Sequence, residues 1–209
     1  MSRPAEKLVG IDLAGSPKRP TGLCILRGNE ARVSVVFSDE EILEAVDTDA
    51  QAIAIDAPLS LPRGRCCLRD DCSCAGKAHF RVCDLELRRM GIRFFPITLG
   101  PMRALTVRGM ALKKKFEEMG CRVFETYPGA AQDIWGIPRQ KDVEGLKEGL
   151  KRFKVQGNWL DPGISKHELD ALTCALTARE DLRGNSITLG EAEEGLMILP
   201  KKKVLSPEC

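Results

Sequence analysis

Three acidic residues close apolar, strand-like segments of the chain, and a fourth lies in an amphipathic segment. Asp12 ends LVGID, Asp56 ends AIAID, Glu125 follows CRVF, and Asp170 lies within HELDALTCAL. An acid that follows several apolar residues is carried on a rigid strand to a sheet edge, where several such acids converge as oxygen ligands for a hard cation. The four acids therefore predict a site for Mg²⁺ or Mn²⁺.

The segment around Asp170 also carries a helix-start signal. Ser165 followed three residues later by Glu168 fits a capping box, in which each side chain bonds the other residue's backbone amide. Glu168 is then a structural cap, whereas His167 and Asp170, three residues apart, share one helical face. An imidazole beside a carboxylate suits a divalent ion, so His167 is predicted to ligate the metal or to position a water molecule.

Basic residues are concentrated in the middle of a nearly neutral chain. The whole chain of 209 residues has a net charge of +2, but residues 61–120 hold 13 Lys or Arg against 6 Asp or Glu, leaving +7 there and −5 elsewhere. Basic side chains beside an acidic site suit the binding of phosphates, and nucleic acid is the predicted partner. The alternatives are a solvated basic face and, for individual arginines, ion pairs within the protein. The candidate phosphate contacts are Arg81, Arg88, Arg89 and Arg103.

Five of the nine cysteines lie within one short segment. An odd total argues against a disulfide framework of the secreted type. The five thiols, with His79 among them, can hold a structural zinc ion; an iron–sulfur site, free thiols or a facultative disulfide are the alternatives. The candidate metal ligands are Cys66, Cys67, Cys72, Cys74 and Cys83.

Hydrophobic periodicity predicts an α/β fold with a mixed five-stranded sheet of order 3-2-1-4-5, flanked by helices and followed by a C-terminal hairpin. The breaker Tyr127-Pro128-Gly129 is expected to end the fifth strand. The predicted strands are 8–13, 21–27, 31–37, 52–56 and 121–125, the helices are 39–46, 79–90, 102–119, 141–153 and 166–182, and the hairpin is 186–189 with 195–199.

Length and composition, with 43% hydrophobic and 30% charged residues, predict one globular domain over residues 1–209. Within it, the Cys- and Arg-rich residues 59–78 form an insertion loop, and residues 201–209 form a frayed tail. No apolar stretch is long enough for a membrane helix and no secretion signal is visible, so a cytoplasmic location is expected. Nothing in the sequence indicates the oligomeric state.

The order of strands and acids resembles the RNase H-like superfamily over about residues 7–182. The closest resemblance is to a family described only as predicted RNase H-fold nucleases. The final-helix segment is similar to that of RuvC-type resolvases, although those enzymes usually carry Glu where this chain has Asp56, and Glu125 is outside the superfamily's usual acidic quartet. The motifs that carry the resemblance are Gly10-Ile11-Asp12, Ile55-Asp56-Ala57-Pro58, Arg81-Val82-Cys83-Asp84, Glu125-Thr126-Tyr127-Pro128 and His167 to Leu172.

The resemblance implies metal-dependent hydrolysis of phosphodiester bonds by a two-metal mechanism. On this hypothesis Asp12 bridges both ions, while Asp56 and Asp170 each hold one. Two other functions remain open. Gly10-Ile11-Asp12-Leu13 also resembles the first phosphate motif of actin- and sugar-kinase-like phosphotransferases, and a non-catalytic nucleic-acid or protein-binding module with a zinc-bound cysteine loop is the third possibility.

Overall fold

The computed structural model describes residues 6–46 and 49–202. They form one mixed sheet in the order β6-β3-β2-β1-β4-β5-β8-β7. The strands are β1 (Lys7–Asp12), β2 (Thr21–Arg27), β3 (Glu30–Val36), β4 (Ala52–Asp56), β5 (Val123–Thr126), β6 (Gln156–Gly157), β7 (Ser186–Glu191) and β8 (Gly195–Pro200).

Six α-helices and one turn of 3₁₀ helix, Asn158–Leu160, complete the described fold. Among the described residues, no helix is long and apolar enough to cross a membrane. The helices are α1 (Asp39–Ala45), α2 (Val82–Arg89), α3 (Gly100–Glu118), α4 (Pro128–Trp135), α5 (Val143–Lys151) and α6 (Lys166–Leu182).

The predicted strand order 3-2-1-4-5 is present, but the prediction of a five-stranded sheet is wrong. The C-terminal hairpin does not stand apart, because β8 pairs with β5 in parallel through Glu125 and Met197. On the opposite side, the short β6 pairs in parallel with β3. These additions extend the sheet to eight strands. Both depend on pairings between distant parts of the chain, which local periodicity does not encode.

The two faces of the sheet are covered by different helices. Because side chains alternate along a strand, Leu8 lies on one face of β1 with α6, and Val9 and Ile11 lie on the other with α3. On β4, Ala52 and Ala54 face α6 in the same way. The continuous apolar character of these strands thus reflects burial on both sides.

Two glycines allow α6 to lie directly on the sheet. A Cβ atom at Gly10 would lie 2.0 Å from the carbonyl oxygen of Ala171, and one at Gly22 would lie 2.0 Å from that of His167. Any side chain at these positions would push the helix away. The start of α6 is therefore fixed against the ends of β1 and β2.

Two segments differ from the predictions made by local pattern. Residues Tyr127-Pro128-Gly129 end β5 but also begin α4, since proline is favoured in the first turn of a helix, where no backbone amide is needed. The helix expected over residues 79–90 begins only at Val82. Residues 57–81, which include the segment predicted as an insertion loop, residues 59–78, contain no helix or strand. Of the predicted tail, residues 203–209 lie outside the described part of the chain.

Candidate active site

Asp12 and Asp56 lie side by side at the carboxyl ends of parallel strands. Ile11 of β1 pairs with Ile55 of β4, so the next residue of each strand is an aspartate. By alternation, both aspartates belong to the sheet face that α6 covers, where Gly10 and Ala54 precede them. The two carboxylates consequently meet at the same edge and on the same face.

Helix α6 brings two further groups to this edge. Ser165 and Glu168 form the predicted capping box: the Glu168 amide donates to Ser165 Oγ, and the Ser165 amide donates to Glu168 Oε2 at 2.9 Å. The prediction that Glu168 is a cap is confirmed. His167 and Asp170 lie one helical turn apart beside the strand ends.

His167 contacts Asp12 directly. Its Nδ1 lies 2.6 Å from Asp12 Oδ2, and the side chains are 30% and 14% exposed. The hydrogen bond to Asp12 raises the pKa of His167 above its usual 6.5, against the opposing effect of burial. The pair links the helix to β1 and holds the imidazole in one orientation.

Asp170 is buried within the same group of acids. Gln132 of α4 donates from Nε2 to Asp170 Oδ1 at 2.6 Å and also lies 3.2 Å from Thr173 Oγ1. Burial, followed by the charge of Asp12, raises the pKa of Asp170 from 3.8 to about 7. Sequence reasoning does not single out Gln132, because nothing in the local pattern of α4 indicates a partner 38 residues away.

Asp56 completes the cluster. Burial raises its pKa well above 3.8, and the charges of Asp12, Asp170 and Glu125 raise it further. The three carboxylates are therefore close enough for their charges to act on one another in poorly hydrated surroundings, although their oxygen atoms do not all lie within 4.8 Å of one another. Such an arrangement is costly unless protons or a cation neutralise it.

Glu125, predicted as a fourth metal ligand, has a different environment. Its neighbour Phe124 faces α6, so Glu125 lies on the opposite face of β5. There it accepts two short hydrogen bonds from the Arg81 guanidinium, at 2.6 and 2.7 Å, and one from the Leu59 amide at 2.8 Å. Strand alternation thus places the Glu125 carboxylate on the other face from Asp12 and Asp56, although Glu125 lines the same cleft as Asp56.

Arg81, predicted as a phosphate contact, is occupied by the same network. Its side chain is 2% exposed and also donates to both oxygens of Asp84, at 3.1 and 2.8 Å, and to Ser60 Oγ. Two buried carboxylates bind one guanidinium, so no donor is directed to solvent. Arg81, at the end of the insertion loop, is thus attached to β5 through buried hydrogen bonds to Glu125.

The other predicted phosphate contacts lie at the surface or near it. Arg88 is exposed and stacks on Phe80, with 4.3 Å between its guanidinium carbon and the ring centroid, and Arg89 is exposed. Arg103 is paired with Asp70 and donates to the Thr98 carbonyl. None of the three lies beside the acids.

Asp12 and Asp56 can be reached from two sides of α3. One cleft, of about 480 Å³, is lined by Asp12 and His167 together with two basic residues that the sequence pattern does not single out, Arg19 and Lys166. A second, of about 230 Å³, reaches Asp56. Met102 and Leu105 of α3 line both clefts, so the first turns of this helix stand between the two openings.

Four of the five clustered cysteines converge in the insertion loop. The measured sulfur–sulfur distances run from 3.4 Å, for Cys66 to Cys72 and for Cys72 to Cys74, to 3.8 Å, for Cys67 to Cys74. All four ligand atoms lie within 4.8 Å of one another, and among the described residues no group of acids is that compact. These cysteines can bind a metal such as zinc.

The electrostatics of the cluster are unequal. A backbone hydrogen bond at Cys66, followed by the hydrogen bond between the Cys74 and Cys72 thiols, lowers the pKa of Cys74 to about 6. Hydrogen bonds to Cys72 and Cys74 raise the pKa of the Cys66 thiol to about 12. The neighbouring thiols and backbone amides thus favour the thiolate form at Cys74 and disfavour it at Cys66.

The prediction that Cys83 joins this cluster is wrong. Cys83 lies in α2 and is fully buried in an apolar group with Leu87 and Leu199. Its position in a helix directs the side chain into the protein. His79 is also outside the cluster, with its Nδ1 3.0 Å from Thr98 Oγ1.

Comparison with known proteins identifies a family for the chain. A family profile described as "Protein of unknown function (DUF429)" matches residues 10–194. No curated protein and no solved structure matches the chain. The matched residues include all the acids described above and the four clustered cysteines.

Proposed function

Because the chain belongs to the DUF429 family, whose function is not assigned, we propose a function from the site itself: metal-dependent hydrolysis of phosphodiester bonds in nucleic acid. The observation that carries the proposal is the convergence of Asp12, Asp56 and Asp170 on one face, at the ends of adjacent parallel strands and against α6. We assign the fold as RNase H-like, and the strand order β3-β2-β1-β4-β5 supports this assignment.

The donor set fits Mg²⁺ or Mn²⁺. Oxygen ligands are what these ions prefer, and a divalent cation among the acids would offset both the burial and the mutual repulsion that raise the pKa values of Asp56 and Asp170. Asp12, Asp56 and Asp170 would hold the metal. When bound, it would polarise a phosphate and provide a nucleophilic water at neutral pH.

The residues of the chain supply the remaining requirements. Asp12 holds the His167 imidazole in place, and Gln132 holds the carboxylate of Asp170 through one oxygen. With Nδ1 directed to Asp12, the second ring nitrogen of His167 can accept a proton from water or pass one on. Lys166 and Arg19 line the same cleft and add positive charge where a phosphate would approach.

The proposal is tested by cleavage of a panel of single-stranded, duplex and branched DNA and RNA in Mg²⁺ or Mn²⁺. We expect cleavage by the wild type and loss of at least about 10²-fold in Asp12→Asn, Asp56→Asn and Asp170→Asn, since metal ligands contribute several kcal/mol. Asp161→Asn, at an exposed acid outside the clefts, is the matched control and should cleave normally.

Equal cleavage by wild type and Asp12→Asn would refute the assignment. Absence of cleavage across the panel, together with metal-independent binding of nucleic acid, would favour the binding-module alternative. Phosphate transfer from ATP would instead favour the phosphotransferase. Each outcome is measured with the same set of variants.

A further inference from the structure

The four cysteines of the insertion loop form a site separate from the acids, and we infer that Cys66, Cys67, Cys72 and Cys74 bind one structural Zn²⁺. Tetrahedral zinc with bonds of about 2.3 Å to sulfur requires sulfur atoms about 3.8 Å apart. Four of the six sulfur–sulfur distances are 3.4 to 3.8 Å, close to that requirement, and all six are within 4.8 Å. A disulfide would need about 2.0 Å.

The loop needs such a site for its own stability. Residues 57–81 have no helix or strand, and few of their side chains are buried and apolar, among them Leu59 and Leu68. A segment with so little core is commonly ordered by a metal, whose binding energy becomes folding energy. Arg65 adds to this order by donating to the carbonyl oxygens of Ala75 and Ala78.

The charge of the loop also suits a four-thiolate site. Zinc with four thiolates carries a net charge of −2, and each thiol releases its proton to solvent on binding. Residues 59–78 hold four Lys or Arg against two Asp, which leaves +2 apart from the cysteines. The complete zinc-bound loop is therefore neutral.

The position of the site indicates a structural role. All four coordination positions are filled by protein sulfur, so none is left for a substrate. The loop begins after Asp56, at the end of β4, and ends at Arg81, directly before α2. Its Asp70 pairs with Arg103 in the first turns of α3. The zinc ion thus orders the segment beside the helix that separates the two clefts.

The test begins with metal analysis of protein purified without oxygen. We expect about one zinc per chain in the wild type, loss of zinc in the double variant Cys66→Ser with Cys72→Ser, and retention in the control Cys121→Ala, whose thiol lies outside the loop. Substitution by Co²⁺ should give the visible spectrum of a tetrahedral tetrathiolate. Stoichiometric iron, or no metal in protein that is folded and reduced, would overturn the inference.

Trypsin provides a readout that does not depend on the variants folding. The loop contains Arg63, Arg65, Arg69 and Lys77, and zinc-bound wild type should resist cleavage there. Displacement of zinc by a mercurial, with the circular dichroism of the sheet retained, should expose these bonds, and reducing agent with zinc should protect them again. Unchanged cleavage after zinc removal would refute a role in ordering the loop.

A second inference concerns a groove that adjoins the cleft reaching Asp56, and it rests on the proposed function. Exposed arginines and aromatic rings share a groove of about 610 Å³. Arg88 stacks on Phe80, and Phe95 is 68% exposed. Arg139, which is also paired with Asp133, has its guanidinium carbon 5.6 Å from the centroid of the Tyr127 ring. A binding site for single-stranded nucleic acid needs aromatic rings on which the bases stack and positive charge for the phosphates.

The groove is continuous with the acid site. Phe94, Phe95 and Tyr127 line both this groove and the cleft that reaches Asp56. Arg93 adds a charge that has no ion pair within the described residues. We propose that unpaired nucleotides bind along these rings and enter the site from the Asp56 side, since bases within a duplex are stacked on each other and cannot reach Phe95.

Fluorescence anisotropy with labelled oligonucleotides, without added divalent metal, tests this separately from cleavage. Wild type should bind single strands more tightly than duplexes of the same sequence. Phe95→Ala should weaken single-strand binding about tenfold. Phe37→Ala, at another exposed phenylalanine, should have no effect. Equal affinity for single strands and duplexes, or unchanged binding by Phe95→Ala, would refute the inference, even if the acids prove to cleave phosphodiesters.

Discussion

Replacement of Asp170 by Asn should make the metal-free protein more stable at high pH. The pKa of Asp170 is raised from 3.8 to about 7 in the folded protein, so its ionised form is disfavoured by folding. At 1.36 kcal/mol per pKa unit this corresponds to about 4 kcal/mol. Asn cannot ionise, yet its side-chain oxygen can still accept the hydrogen bond from Gln132.

The sign of the pH dependence follows from the raised pKa. Below about pH 4, Asp170 is protonated in both the folded and the unfolded state and carries no charge penalty. As the pH rises from about 4 through about 7, the wild type loses the stability associated with the neutral carboxyl, whereas the Asp170→Asn variant does not. Because the Asp12 charge also contributes, we expect a difference of about 2–4 kcal/mol near pH 8 and little near pH 4.

Thermal and urea denaturation in metal-free buffer measure this difference. For a chain of this size, the variant should melt about 5–15 °C higher than the wild type near pH 8. Added Mn²⁺ should stabilise the wild type but much less the variant, because the cation removes the same repulsion. A variant that is equally or less stable near pH 8 would refute the claim that burial and the neighbouring acids disfavour ionised Asp170 in the folded protein.

Three further predictions test the supports of the site. Gly22→Ala should destabilise the protein by about 1–3 kcal/mol, because its Cβ would meet the His167 carbonyl oxygen, whereas Gly76→Ala, with open space around it, should be neutral in urea denaturation. His167→Gln should lower kcat for cleavage about 10²- to 10⁴-fold with little change in melting temperature; unchanged kcat would remove His167 from proton transfer. Arg81→Met should cost about 3–5 kcal/mol in urea denaturation by leaving Glu125 buried without its partner, and an undiminished midpoint would contradict that role.

The core of the candidate site can be predicted because each of its residues obeys a local rule. Asp12 and Asp56 end apolar strands, and the capping box fixes which faces of α6 carry His167 and Asp170. The glycines that allow α6 to approach the strands reinforce that placement. Strand ends and helix starts are encoded by neighbouring residues, which is why they can be recognised without the fold.

The remainder depends on contacts that neighbouring residues do not encode. Because Glu125 follows an apolar run, the sequence predicts that it joins the acid site. In the structure, however, β5 continues to Thr126, and the alternation of side chains along β5 places Glu125 on the other face of the sheet. Because successive side chains of a strand point to opposite faces, a shift of one residue along the strand moves a side chain to the other face of the sheet. The pairing of Arg81 with Glu125 spans 44 residues, and no local pattern indicates it.

The cysteine loop shows the same limit. Spacing groups Cys83 with the other thiols, but the start of α2 at Val82 separates it from them and directs it into the core. The four cysteines that precede the helix remain free to converge. Where a helix begins therefore decides which thiols can share a metal.

The most direct measurement of the central claim is anomalous scattering from crystals of the protein soaked in Mn²⁺. The proposed function predicts a manganese peak bound by the carboxylates of Asp12, Asp56 and Asp170, and loss of that peak in crystals of Asp12→Asn. Crystals that take up Mn²⁺ elsewhere but show no peak among these three carboxylates would contradict it.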